Sequence, residues 1–189
     1  MRKPHVILWF LILFLSLLWS GPVSYARLAQ GSYLRVFISK QAMGLYRDGK
    51  FVKGYLVSTS KYGVGNRQKS NQTPLGRHRI AKKIGAGAPA GAIFKNRVNS
   101  GKVAAINSSQ APSAEDFVTT RILWLEGLDP GANKGRRVDS FHRFIYIHGT
   151  PDEGLIGRPA SHGCIRMKNK DVSELFNLVN VGTPVEILK

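Results

Sequence analysis

Apolar and polar residues alternate through the segment 34–57, and a period of two is typical of half-buried β-strands. Asp48 and Gly49 interrupt the alternation with a strong hairpin signal, because glycine tolerates the positive φ that tight primed turns require. Residues 51–57 then resume the pattern as the returning strand. The sequence therefore predicts an antiparallel hairpin in this segment.

Several later segments lack a clear period. Residues 60–72 are polar and contain glycine, and residues 107–116 are irregular, so both are predicted to be loops. The stretch 85–102 begins with the Gly/Ala-rich segment 85–92. We expect the whole stretch to be a loop or a lid that becomes ordered only by docking on the rest of the protein. Residues 78–80 follow a rigid Pro-Gly turn and are expected to enter a strand.

Two short apolar runs predict central strands. They are RILWLEGL at 121–128 and RFIYIHGT at 143–150, and runs of this length and composition suit strands buried on both faces. Trp124 and Tyr146 lie within the runs, so we expect them in the core rather than against substrate. The basic, glycine-rich segment 130–138 between the runs is expected to be a loop.

One helix is predicted near the C-terminus. Apolar residues recur there at a spacing of three and four, as on one face of a helix: Val172, Leu175, Phe176 and Val179. Asn169 is expected to cap the start of the helix, and Gly182 lies beyond its end. Residues 183–188 are expected to close the chain as a short strand. Pattern alone thus predicts a mainly β chain with a single helix.

The N-terminus has the pattern of a secretory signal over residues 1–26. Arg2 and Lys3 precede the apolar run 6–19, and small residues end at Ala26, where a signal peptidase would cleave. The run is short for a membrane span, which needs about 20 residues. An uncleaved anchor to the cytoplasmic membrane is the alternative. Either reading predicts an exported protein in the periplasm or cell envelope, with one further domain at 34–189.

The formal net charge of +17 predicts an anionic partner. Nucleic acid is not expected, because a secretory signal removes the chain from that compartment and no basic helix or aromatic-basic repeat is present. Anionic peptidoglycan and its acidic companions fit the predicted location better.

The chain contains a single cysteine, Cys164, in the stretch ASHGCIRM. Cysteines of exported proteins usually pair, so an odd one indicates either a reactive thiol or an intermolecular bridge. A buried, inert cysteine is the alternative. The absence of a cysteine near Ala26 excludes a lipoprotein anchor.

His148 ends a predicted strand and Cys164 lies in the loop before the predicted helix, so we expect both to be held rigidly and able to meet. A neighbouring imidazole activates a thiol, whose free pKa is about 8.5, by taking its proton or stabilising the thiolate. Gly149 and Gly163 would let the backbone approach a substrate. The amides near Gly163 and Cys164 are candidate donors to an oxyanion.

The segment HGTPDEGLIGRPASHGCIRM at 148–167 resembles the signature of the L,D-transpeptidase catalytic domain (YkuD type): a His-Gly at a strand end, a spacer, then Ser/Thr-His-Gly-Cys, a small apolar residue and Arg or Asn. The resemblance extends more weakly over 34–188, through TPLG at 73–76 and the closing GTPVEIL. It does not cover 85–92 or 130–138.

The resemblance implies roles for the residues of the signature. Cys164 would be the nucleophile and His148 its proton acceptor and donor, while the carbonyl of Gly149 would orient the imidazole. It also implies a sandwich of mixed sheets with a short helix following the cysteine loop, and no metal or organic cofactor.

Three further residues of the signature would support the pair. Ser161 would brace the loop by hydrogen bonding, and His162 would line the pocket and help to polarise it. Arg166 would hold the geometry of the site or bind a substrate carboxylate.

The implied reaction is acyl transfer on peptidoglycan. The thiol would attack a stem tetrapeptide, release D-alanine and pass the acyl group to an amine in cell wall cross-linking or remodelling. That amine belongs to another stem peptide or to a wall-linked lipoprotein, and the family implies carbapenems as covalent inhibitors. Transfer to water, which would make the protein an L,D-carboxypeptidase or hydrolase, is the alternative.

Other functions remain open. His148, His162 and Cys164 are acceptable zinc ligands, with Asp152 and Glu153 nearby. The chain could also be an inactive wall-binding module on the same fold, or a cysteine protease acting on ordinary L-peptides, although papain-like sequence around the cysteine is absent. His78 and His142 are expected to be packing or surface histidines.

Overall fold

The computed structural model describes residues 31–189, so the predicted signal or anchor at 1–26 lies outside the described residues. The elements in the described part are β1 (Ser32–Phe37), β2 (Ala42–Arg47), β3 (Lys50–Leu56), β4 (Gly76–Ile84), β5 (Ala92–Lys95), β6 (Val98–Val103), β7 (Val118–Gly127), β8 (Tyr146–Gly149), β9 (Ile165–Met167), α1 (Asn169–Leu178) and β10 (Pro184–Leu188). Among residues 31–189, no helix combines the length and apolar character needed to cross a membrane.

Hydrogen bonds join the ten strands into a single mixed sheet. Its main path runs β3-β2-β1-β10-β4-β7-β5-β6, and β8 and β9 continue from the other edge of β7. The pairs β1–β10 and β8–β9 are parallel, and the other pairs are antiparallel. The predicted fold class, mainly β with mixed strand pairing and a short helix after the cysteine loop, is confirmed. The two halves of the predicted sandwich are parts of one continuous sheet.

The two flanks of this sheet meet beside the cysteine loop. Ser58, which follows β3, pairs with Arg166 of β9 through two main-chain hydrogen bonds of 2.9 and 2.8 Å. Ser60 forms a further bridge to Ser161. The sheet therefore closes around a common core, and β9 is paired along both of its edges.

The helix α1 is held by the core rather than by the predicted cap. Its apolar face packs with the main buried cluster, through Val172, Leu175 and Phe176. Lys168, and not Asn169, occupies the N-cap position, and its side chain makes no capping hydrogen bond. The main-chain N–H of Asn169 donates instead to Oε1 of Glu153 at 2.7 Å. The expected cap was therefore wrong, because a carboxylate from a distant turn satisfies the helix start.

The prediction of a loop or lid over 85–102 was wrong in its second half. Residues 92–103 form the β5–β6 hairpin, and only 85–91 is irregular. Asn96 and Arg97 form its turn with φ values of 49° and 70°, and Ile93 and Phe94 pair with β7. Arginine at a position of positive φ gives no sequence signal for a tight turn, which explains why the hairpin was missed.

Candidate active site

The parallel pairing of β8 with β9 brings the two candidate catalytic residues onto one face. His148 lies opposite Arg166, and Ile147 lies opposite Ile165. Side chains alternate between the faces of a sheet, so Cys164, one residue before Ile165, shares the face of His148. Ile147 and Ile165 belong to the main core on the other face, whereas Cys164 packs against a separate apolar cluster.

His148 is buried and its ring is fixed by one hydrogen bond. Its Nδ1 lies 2.7 Å from the carbonyl oxygen of Gly149, which is the contact that the family resemblance implied. Burial, with a smaller contribution from the charge of Arg166, lowers the pKa of His148 from 6.5 to about 4. Among the described residues, none forms a hydrogen bond with Nε2. The ring is therefore a neutral imidazole with one nitrogen available.

Gly149 is required by close packing below the strand end. A Cβ at this position would lie 2.6 Å from Oδ1 of Asn169 and 2.8 Å from the carbonyl oxygen of Thr119. Asn169 is itself buried and is held by the hydroxyl of Thr119 at 2.7 Å and by the carbonyl of Thr150 at 2.8 Å. Asn169 thus supports the strand that carries His148, whereas the sequence had predicted that it caps the helix.

Cys164 is a partly exposed residue, and its thiol makes two hydrogen bonds to the main chain. Its Sγ donates to the carbonyl of Phe144 and accepts from the N–H of Tyr146, both at 3.4 Å. Burial of the sulfur raises the pKa of Cys164 to about 11, with the N–H of Tyr146 acting in the opposite direction. No hydrogen bond joins the thiol to His148 in this arrangement of residues 31–189. Both groups are therefore neutral, on one face and not yet paired.

The loop that carries the cysteine is stiffened by buried hydroxyl groups. Oγ of Ser161 donates to the carbonyl of Cys164 at 2.5 Å and accepts from the N–H of Gly163 at 3.2 Å. Oγ1 of Thr73 donates to the carbonyl of Gly163 at 3.1 Å. Gly163 has a φ of +123°, in the region that favours glycine. Ser161 and Thr73 thus tie the main chain of this loop together.

A carboxylate that sequence reasoning missed joins His162 to Arg166. Oδ2 of Asp116 lies 2.9 Å from Nδ1 of His162 and accepts a short hydrogen bond from the guanidinium of Arg166. The Arg166 side chain is 4% exposed, and that of Asp116 is 39% exposed. Asp116 lies in the segment predicted only to be irregular, some fifty residues before its partners, so no local pattern indicated the contact.

The described residues do not form the zinc site that was considered as an alternative. Within residues 31–189 no group of three or more His, Cys, Asp or Glu side chains is placed to hold a metal ion. Nδ1 of His162 is directed to Asp116, and Glu153 is used by Asn169. Oδ1 of Asp152 accepts hydrogen bonds from Ser113. The nearby carboxylates therefore serve the local structure.

Solved structures with the same fold are known. The chain is similar to L,D-transpeptidase 3 from Mycobacterium tuberculosis in complex with a faropenem-derived adduct, with a TM-score of 0.51, 17% identity, and coverage of 84% of this chain and 60% of that one. It is also similar to the L,D-transpeptidase LdtMt1 in complex with imipenem, with a TM-score of 0.51, 18% identity and coverage of 84% and 59%. At these identities the likeness establishes the fold.

Sequence comparison identifies the family. The chain is 40% identical over 80 residues to the YkuD protein of Bacillus subtilis (strain 168) and 54% identical over 80 residues to that of Bacillus licheniformis, in each case over 42% of this chain and 46% of the relative. It thus aligns with about half the length of these relatives. The model of the L,D-transpeptidase catalytic domain matches residues 31–187. With that domain filling nearly all of the described residues, the chain belongs to the L,D-transpeptidase catalytic domain family.

Proposed function

We propose that this protein is an exported L,D-transpeptidase that acts on peptidoglycan stem tetrapeptides through a thioester on Cys164. One observation carries the proposal: the register of β8 with β9 sets the only thiol of the chain on the same face as a buried imidazole whose Nε2 is available. Membership of the family supplies the reaction class. The catalytic roles of the individual residues are part of the proposal.

The first step is attack on the carbonyl between the diamino acid and the terminal D-alanine. The Sγ of Cys164 turns from the carbonyl of Phe144 toward the substrate, and its proton passes to Nε2 of His148. The new bond joins sulfur to the carbonyl carbon, and collapse of the tetrahedral intermediate breaks the amide bond. His148 returns the proton to the leaving nitrogen, so D-alanine departs and a thioester remains.

The pKa shifts favour a neutral resting pair over a thiolate–imidazolium pair. Burial raises the pKa of Cys164 to about 11 and lowers the pKa of His148 to about 4, and both shifts disfavour the charged forms. Proton transfer therefore accompanies the attack instead of preceding it. The substrate completes the site by drawing the thiol away from its main-chain partners.

A main-chain donor is available for the oxyanion. The N–H of Gly163 is used by Ser161, so it is not free to stabilise charge on the substrate. Among the described residues, none accepts a hydrogen bond from the N–H of Cys164. The proposed oxyanion donor is therefore the amide of the nucleophile itself, one of the amides that the sequence suggested.

The second step depends on which acceptor reaches the thioester. A stem-peptide amine gives a cross-link, the lysine of a wall-linked lipoprotein gives anchoring, and water gives a carboxypeptidase product. The L,D-carboxypeptidase is the second candidate function, since the same thioester leads to it. An inactive wall-binding module is the third, and it forms no thioester.

Product analysis tests the proposal. The purified protein is incubated with a stem tetrapeptide, and the products are measured by mass spectrometry. A transpeptidase gives cross-linked dimer or an exchanged terminal residue, and a carboxypeptidase gives tripeptide with free D-alanine. The Cys164→Ala variant, in which only the sulfur is removed, gives none of these products. Turnover by this variant equal to that of the wild type would refute the proposed nucleophile.

Covalent labelling tests the thiol without a peptide. Structures of two similar L,D-transpeptidases contain imipenem and a faropenem-derived adduct. We therefore expect a carbapenem to add its mass once per chain, at Cys164. Loss of this mass in Cys164→Ala supports the site, whereas labelling elsewhere on the chain contradicts it.

The proposed location outside the cytoplasmic membrane rests on the sequence of residues 1–26. The mass of the protein recovered from the cell envelope distinguishes the two versions. Cleavage after Ala26 gives a chain that begins at Arg27, and an anchored form keeps residues 6–19. Recovery of the full-length chain from the cytosol alone would contradict both versions.

A further inference from the structure

A cavity of about 400 Å³ opens between the loop 60–72 and the loop that leads to β8. Three arginines line it, Arg136, Arg137 and Arg143, with a single carboxylate, that of Asp139. Cavities of about 300–1,000 Å³ are large enough to hold a small ligand or a functional group of a larger one. The lining of this cavity predicts that an anion would be preferred.

The carboxylate of Asp139 does not neutralise the arginines. It accepts hydrogen bonds from the N–H of Gly135 at 3.1 Å and from the N–H of His142 at 3.0 Å, and these contacts shape the loop. Within residues 31–189, the side chains of Arg136 and Arg137 form neither a hydrogen bond nor an ion pair. Two guanidinium groups are therefore left exposed at the cavity without an ion-pair partner among the described residues.

The walls of the cavity are tied together. Arg143 donates to the carbonyl of Gly65 at 3.1 Å and to the carbonyl of Gln72 at 2.6 Å. The N–H of Gln68 donates to the carbonyl of Arg137 at 2.6 Å. The two loops thus hold one another, so the main chain around the cavity is already ordered before an anion binds.

A neighbouring cavity shows that the positive lining is not simply a property of a basic protein. That cavity, of about 430 Å³, contains the ion pair of Arg79 with Glu126 at 2.6 Å, and Lys82 stacks on Trp124. Its arginine is therefore ion-paired. The arginine cavity, as we call the one lined by Arg136, Arg137 and Arg143, differs because two of its guanidinium groups have no such partner.

The arginine cavity is adjacent to the proposed nucleophile. Arg143 directly precedes Phe144, whose carbonyl accepts the thiol hydrogen bond of Cys164 at 3.4 Å. The charge of Arg143 also acts on the thiol of Cys164, so the nearer wall of the cavity lies within electrostatic range of the sulfur.

We propose that the arginine cavity is an oxyanion-binding subsite. It holds a carboxylate or phosphate group of the same wall polymer whose stem peptide is attacked by Cys164, and in this respect it rests on the proposed function. The planar guanidinium groups of Arg136 and Arg137 bind such a group through paired, charge-assisted hydrogen bonds. The subsite thereby selects anionic substrates over neutral ones.

Equilibrium binding of two labelled oligomers tests the subsite at one fixed ionic strength. One probe is a glutamate oligomer, which carries carboxylates, and the other is a glycerol phosphate oligomer, which carries phosphodiesters. The test variant is Arg136→Gln with Arg137→Gln. Its matched control is Arg47→Gln with Lys50→Gln, which removes the same charge from the exposed β2–β3 hairpin, outside the cavity lining.

We expect the test variant to lose at least about tenfold in affinity for one or both probes, and the control to lose less than about twofold. The probe that suffers the larger loss identifies the source of the anion. Equal weakening in the two variants, or no binding of either probe to the wild type, would overturn the subsite.

Carbapenem labelling of the same proteins separates the two proposals. Labelling of Cys164 in the control variant should stay within about twofold of the wild type, because the β2–β3 hairpin lies outside both the cavity lining and the reacting groups. Labelling that succeeds while neither oligomer binds overturns the subsite alone. Binding that succeeds while the wild type is not labelled overturns the proposed function, and with it the assignment of the anion to a substrate.

Discussion

Two buried histidines among residues 31–189 are alike in most respects. His78 on β4 is 1% exposed and His148 on β8 is 2% exposed. Each directs Nδ1 to a nearby main-chain carbonyl, that of Gly76 at 3.0 Å and that of Gly149 at 2.7 Å. Burial lowers the pKa of both rings from 6.5 to about 4. Neither burial nor pKa therefore distinguishes His78 from His148, the proposed catalytic base.

The second ring nitrogen makes the difference. Nε2 of His78 lies 2.9 Å from the hydroxyl of Ser140, so both of its nitrogens are used. Nε2 of His148 has no such partner in the described chain, and the ring shares its face with Cys164. The comparison shows that a histidine is available for chemistry when one nitrogen is held and the other is left open.

The largest effect is expected from replacing the open histidine. His148→Gln keeps an amide that can bond to Gly149 but removes the base, so the rate of carbapenem acylation should fall about 100- to 10,000-fold. The rate is measured as adduct formation by mass spectrometry. His78→Gln is the control, with acylation expected within about twofold of the wild type per folded molecule. Equal losses in the two variants would mean that the open nitrogen does not matter.

The second effect is a loss of stability in acid. The unfolded chain binds protons at these histidines near pH 6.5, whereas the folded chain does so only near pH 4, so the free energy of unfolding falls as pH drops through that window. Each ring should contribute a loss of roughly 3 kcal/mol. Urea unfolding at several pH values measures the slope, and His78→Gln should reduce the histidine part by about half. An unchanged slope in that variant would show that the His78 shift is absent.

A third, smaller effect is expected from removing the hydrogen-bond partner of Nε2 of His78. Ser140→Ala removes the partner of Nε2 of His78 and leaves a buried nitrogen unsatisfied, so the free energy of unfolding should fall by about 1–3 kcal/mol. Acylation should not change, because His78 has no thiol beside it. Carbapenem labelling at a second site in this variant would contradict the view that a histidine with a free Nε2 also needs a thiol on the same face of the sheet.

The smallest effect is expected from mild acid on the acylation rate. Because the pKa of His148 is lowered to about 4, the base remains neutral, and the rate should change less than about twofold between pH 7 and pH 5. It should decline only below that range. A tenfold fall per pH unit beginning near pH 6.5 would indicate that His148 titrates normally, and a steep rise with pH would favour reaction through a free thiolate.

Local patterns predicted much of the fold. The hairpin around Asp48 and Gly49, the buried strand at 121–128 and the helix after the cysteine all have regular spacing or a turn signal, and the structure contains each of them. The β5–β6 hairpin was missed because Asn96 and Arg97 carry its turn without glycine. Spacing within an element is a local property, whereas this turn is imposed by pairing with β7.

The same distinction holds for the candidate site. The signature at 148–167 contains all the residues proposed for the site within one short segment, and the pairing of β8 with β9 brings the two ends of that segment together. Asp116 and Asn169 were missed or misassigned because their partners come from other elements, brought close only by the completed sheet. Their contacts could not be deduced from one sequence.

The pairing of β9 along both edges has a consequence for local motion. Arg166 lies two residues after the proposed nucleophile, and its N–H donates to the carbonyl of Ser58 at 2.8 Å. Strand β8 pairs with the other edge of β9. A strand held in this way has no edge from which to fray, so its amide deuterium uptake should require opening of the whole sheet. The cysteine loop is thereby attached to one of the slowest-exchanging parts of the protein, and acylation of the sulfur should leave its uptake unaltered.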